Sequence, residues 1–136
     1  MARKATLFVA LLAVAQALMS DAASAFPPTV CDPNQPLSGA KLYADNCASC
    51  HGTDATGGRS PNEAPAPDLT VLTRKAKGKF PAPRVADIIR YGGALPDHSI
   101  SPKMAIWAEV FHAECGPTYS RRAVVELTKF LNGSQK

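Results

Sequence analysis

Residues 47–51 read C-A-S-C-H, two thiols three apart with an imidazole directly after the second. Three chemistries use such a run. A redox-active dithiol wants C-x-x-C opening a helix after a strand, in a mixed α/β chain. Here the motif follows a helical stretch and leads into a loop of glycines and prolines, and no run alternates as a strand should. Half of a zinc site wants a second close pair of ligands. Cys31, Cys115, His98 and His112 could contribute, but they form no such pair. Covalent haem attachment wants this spacing. Each thiol can form a thioether with one of the macrocycle's two vinyl groups. The next residue, His51, is then held under the iron, where a ring nitrogen can coordinate. Four cysteines and three histidines in 136 residues leave little room for an accidental match. The run therefore points to one covalent haem c, with Cys47 and Cys50 as tethers and His51 as proximal iron ligand.

The iron's sixth position needs a second ligand or stays open. Met1 and Met19 fall in the leader described below, so Met104 is the only methionine of the mature chain. It stands in a loop just after Pro102, and its soft thioether suits iron in an electron-transfer protein and raises its potential. His98 and His112 are the competing donors. A methionine that merely fills a gap in the core is the plainer alternative.

The elements that must position these groups can be read along the chain. Arg3 and Lys4, the apolar run Ala5–Met19 and the small residues Ala23-Ser24-Ala25 form an export signal. The run is short for a bilayer span of about 20 residues, so a retained anchor is the weaker reading. Residues 1–25 are thus expected to be a signal peptide and 26–136 one exported domain, working in a bacterial periplasm. A net charge of +4 is modest, and with no basic arm and no phosphate-binding glycine loop nothing points to nucleic acid or nucleotides. A first helix spans Ser38–Asn46, with Gly39 and Tyr43 on one face. Asp68 caps a short helix to about Lys75. Pro83–Tyr91 is a middle helix that Gly92-Gly93 stops. Ala105–His112 is helical. The last helix has Ser120 as cap, with Tyr119 and Val124 as a staple around it, and buries Ala123, Val124, Leu127, Phe130 and Leu131.

With these residues in view, the mature chain from about Gly39 to Leu131 resembles the class I c-type cytochromes. G-x-x-x-Y before C-A-S-C-H-G is similar to that family's N-terminal helix running into its haem motif. P-A-P-D-L-T (65–70) resembles the segment whose backbone carbonyl receives the proximal histidine's other N–H. I-I-R-Y-G-G (88–93) resembles the middle helix and its stop. M-A-I-W-A-E-V-F (104–111) resembles the methionine-ligand segment of small periplasmic monohaem cytochromes that serve dehydrogenases, although that subgroup commonly has proline where Ala105 stands. The resemblance implies an all-α cytochrome c fold around one haem. It also implies crossed terminal helices, with Gly39 at the close approach and Tyr43 against Leu127 or Phe130. It implies single-electron transfer with no substrate pocket, between redox partner proteins such as a periplasmic dehydrogenase and another cytochrome or oxidase. A permanent haem subunit of a larger oxidoreductase would carry the same sites. A peroxidase or gas sensor would instead need an open sixth position and a distal group, for which His98 is the obvious candidate.

Two features lie outside the haem motif. Cys31 and Cys115 cannot join the tether and would share an oxidising compartment, so a disulfide is expected between them if the first and last helices cross; two free thiols are the alternative. Arg74, Lys75, Lys77 and Lys79 make a basic run with no acidic residue between Asp68 and Asp87. It is either a solvated loop or a docking patch for an acidic partner.

Overall fold

A computed structural model describes residues 31–32, 34–58, 65–97 and 100–136. The expected signal peptide and its cleavage site, the first residues of the exported domain, and His98 lie outside the described residues. No helix among the described residues is long and apolar enough to cross a membrane.

The described residues are helical, with no strand among them; one isolated antiparallel bridge joins Gly58 and Ala66. In chain order, α1 is Gly39–Asn46, α2 Ala48–His51, α3 Leu72–Lys75, α4 Ala82–Tyr91 and α5 Trp107–Gly133, with a 3₁₀ turn at Gly92–Ala94 after α4. Ser38, placed inside the first helix by its sequence, caps α1 instead, its hydroxyl accepting from the Lys41 N–H. Proline lies in the first turn of α4, where its missing N–H costs nothing.

Three further sequence readings are corrected. Asp68 does not cap α3. Its carboxylate accepts from the N–H and hydroxyl of Thr70 at 2.7 and 2.6 Å, closing a local turn, and α3 begins later at Leu72 with no side-chain cap. Residues 105–106 precede α5 rather than belonging to it. The predicted last two helices run continuously through an elbow at Gly116, whose φ of 81° breaks the helical path before Pro117. Ser120 therefore lies inside a helix rather than at its start. It is buried, and its hydroxyl donates back across the elbow to the Ala108 carbonyl at 2.8 Å. The elbow comes earlier than the serine because glycine takes the left-handed angle and proline then restarts the helix.

α5 packs on both α1 and α4. Its buried face, Ala123, Val124, Leu127 and Leu131, meets Leu42 and Tyr43 of α1 and Val85 and Ile89 of α4 in one apolar cluster. The α1–α5 crossing is close at Gly39, where any Cβ would land on the Glu126 carbonyl and crowd the Phe130 side chain. Tyr43 stacks at a tilt on Phe130 with centroids 5.1 Å apart, as the resemblance implies. Cys31 and Cys115 form a disulfide, with Cα atoms 5.1 Å apart, that ties the lead-in segment to the elbow. Arg122 also holds that segment, donating to the Gln35 carbonyl at 2.9 Å.

Candidate haem site

Between α1, α2, α4 and α5 lies a cavity of about 690 Å³, within the roughly 300–1,000 Å³ usual for cofactor sites. Its wall is largely apolar, from Leu72, Val85, Ile88, Ile89, Trp107, Leu127 and Leu131. Cys47, Cys50, His51 and Met104 all line it. These four come from α2 and from the loop before α5, which are far apart in sequence. His112 is exposed and does not line the cavity.

Local backbone explains how each side chain arrives there. α2 is a single turn, so Cys47, its flanking residue, and Cys50 fall about one turn apart and project to the same side. The chain then leaves α2 along a stitched loop. The Tyr43 hydroxyl donates to the Gly52 carbonyl at 2.7 Å, and the Gly57 N–H donates to the His51 carbonyl at 2.9 Å. The Leu69 N–H closes the loop onto the Ala55 carbonyl at 2.8 Å. Burial, then the charges at Cys47 and Asp54, pushes the Tyr43 phenol up to about 12, so it remains a donor.

His51 Nδ1 lies 3.2 Å from the Pro67 carbonyl oxygen. A carbonyl only accepts, so this nitrogen carries the proton and Nε2 is left with the lone pair that a metal needs. This is the contact that the P-A-P-D-L-T resemblance implies. Burial, then the neighbouring Cys50, pushes the free Cys47 thiol up to about 11. A dithiol oxidoreductase needs a thiol shifted the other way, so the redox reading of C-A-S-C-H finds no support here. Among the described residues, which leave out His98, no group of three or more histidine, cysteine, aspartate and glutamate side chains could hold a metal ion, and two of the named zinc candidates, Cys31 and Cys115, are joined in a disulfide.

Met104 is placed by a feature whose role the sequence hides. Gly92-Gly93 reads as a helix stop, for which one glycine suffices. In the fold both glycines pack against the Met104 loop. Gly92 has φ 48°, and a Cβ there would strike the Met104 and Ala105 carbonyls. The Gly93 N–H donates to the Met104 carbonyl at 2.9 Å, and the Met104 N–H donates to Ser101 at 3.0 Å. The surplus second glycine was the signal available. Beside the loop, Trp107 stacks on Phe111 at 5.7 Å, carrying the cavity wall into the core. The donor set fits a covalent haem: two thiols on one face of a turn, an imidazole with its tautomer fixed, a thioether, and an apolar chamber.

Arg74, Lys75, Lys77 and Lys79 are all exposed at the end of α3 and in the turn after it. Lys75 also lines the cavity, as does Lys103.

Comparison with known proteins gives the same picture. The family model described as Cytochrome c matches residues 37–128. A cbb3-type cytochrome c oxidase subunit, FixPc, of Rhizobium leguminosarum bv. viciae is 37% identical over 78 residues. The match covers 57% of this chain and 24% of the relative, so the chain aligns with about a quarter of that protein's length. No solved structure matches the chain.

Proposed function

Because the chain belongs to the cytochrome c family, we propose that it is an exported single-electron carrier, working in the periplasm between redox partner proteins. When bound, haem c supplies one reversible electron step at its iron. The chain's own residues do the rest. Cys47 and Cys50 would hold the group through thioethers. His51 would ligate through Nε2, its ring oriented by the Pro67 carbonyl. Met104 would ligate through sulfur, held by the backbone bond from Gly93. The largely apolar wall would pack against the group, and the reading calls for no substrate pocket or catalytic residue. The observation that carries it is the convergence of His51 and Met104, 53 positions apart, on one apolar cavity beside the two tethering thiols.

Replacing Met104 with alanine in the holoprotein tests the ligand set. The ferric protein should lose its weak long-red absorption band, and the ferrous protein should begin to bind carbon monoxide. An unchanged spectrum would reassign the sixth ligand, with His98 next in line, and would reopen the reading of a haem enzyme or gas sensor.

The donor fits a periplasmic dehydrogenase and the acceptor another cytochrome or an oxidase, met through the exposed basic residues around Lys75. A second reading, a permanent haem subunit of a larger oxidoreductase, is favoured by the similarity to an oxidase subunit. Purification from the native source under conditions that preserve complexes separates the two: a free carrier elutes alone, a subunit with its enzyme.

A further inference from the structure

We infer that Gln135 is a positioning residue for the His51 imidazole, acting through the segment that carries the Pro67 carbonyl. The inference rests on the reading of His51 as an iron ligand. Its starting point is the three hydrogen bonds of one amide. Gln135 Nε2 donates to the Leu69 carbonyl at 2.8 Å and to the Leu131 carbonyl at 2.6 Å, while Oε1 accepts from the Thr73 N–H at 2.9 Å. The next residue adds a fourth tie, Lys136 N–H to the Thr70 carbonyl at 2.9 Å.

These bonds clip residues 69–73 to the last turn of α5. On its other side the same segment is held by the Leu69 N–H bond to Ala55 and by the Asp68–Thr70 turn. Pro67 stands two residues before Leu69, so its carbonyl has little freedom once both sides are fixed. That carbonyl is the acceptor for His51 Nδ1. The chemistry demands an amide: a carboxylate could accept from Thr73 but could not donate to two carbonyls, and an apolar side chain could do neither.

A hydrogen bond from Nδ1 raises the basicity of the ligating imidazole, and a more basic ligand favours the ferric state. Loosening the Pro67 carbonyl therefore raises the midpoint potential and exposes the Nδ1 proton to exchange. The test uses the holoprotein with Gln135→Leu, Gln135→Glu and, as control, Ser134→Ala. Ser134 is the adjacent residue, and its hydroxyl bond runs to the Phe130 carbonyl without touching residues 69–73. NMR reads the hyperfine-shifted His51 Nδ1 proton of the ferric protein, and voltammetry reads the potential.

Both Gln135 variants should speed exchange of that proton by about tenfold, the loss of one to two net hydrogen bonds, and should raise the potential. Ser134→Ala should move neither. Exchange and potential in the Gln135 variants equal to those of Ser134→Ala would overturn the inference while leaving His51 as ligand. Absence of any hyperfine-shifted His51 ring proton in the wild type would overturn the ligand reading, and the inference with it.

Discussion

Asp68 does not line the cavity, yet its carboxylate shapes the turn beside the Pro67 carbonyl. Bonds from the Thr70 hydroxyl and then the Thr70 N–H hold its pKa below the usual carboxylate value. A carboxylate depressed in the folded state adds stability above its unfolded pKa of about 3.9, and that stability is lost as pH falls through the lower folded value. Asp68→Asn should therefore be less stable than the wild type by a constant amount from neutrality down to about pH 5, and the gap should close below about pH 4. Urea titrations at a series of pH values measure it, and a gap that persists undiminished in acid would assign the effect to shape rather than charge. At this scale the sequence was legible where chemistry is local. C-A-S-C-H puts two thiols and an imidazole within five residues, and all three line the cavity. Asp68 was misread as a helix cap because an aspartate's bond to the N–H two residues on looks the same in sequence whether a helix or a turn follows. Gln135 was invisible, since its partners at Leu69 and Thr73 lie more than sixty positions away.

Among the elements, the crossing of α1 and α5 makes the strictest demand. A methyl group at Gly39 would meet backbone on α5, which cannot swing aside as a side-chain tip can. Gly39→Ala should cost about 2–3 kcal/mol in the holoprotein, at the upper end for overpacking. Denaturant unfolding followed by haem absorbance measures it, and a cost under about 0.5 kcal/mol would mean that the helices separate more freely than their contact suggests. α1 and α4 were legible because an apolar stripe, a start signal and a stop signal coincide in each. α5 was read as two helices with a serine cap. A hydroxyl residue beside an apolar run is the usual start signal, and only the fold shows Ser120 bonding back to Ala108 across the Gly116 elbow. The Met104 loop has no periodicity, so its tie to Gly93 could come only from the tertiary structure.

For the molecule as a whole, the exposed basic run bears on how a partner would be met. Lys77 and Lys79 stand exposed beside the cavity-lining Lys75. If they steer an acidic partner, reduction by that partner should slow as salt shortens the screening length from about 10 Å at 0.1 M to about 3 Å at 1 M. Lys77→Gln with Lys79→Gln should lower the association rate and leave the midpoint potential in place; Lys75 is left out of the pair because it lines the cavity itself. A rate indifferent to salt would move the docking surface elsewhere. The disulfide spans 84 positions, and opening it with Cys31→Ser and Cys115→Ser should cost at most about 4.5 kcal/mol in the chain-entropy model, read as a shift of the urea midpoint. That bridge also bears on how the protein is made. Four thiols can pair in three ways, and only one pairing joins Cys31 to Cys115 and Cys47 to Cys50. Thioether formation at Cys47 and Cys50, as proposed, would withdraw both from exchange and leave a single bridge to form. Attachment before oxidation would thus leave Cys31 and Cys115 only each other to pair with, whereas a chain oxidised first could close either of them on a cavity thiol.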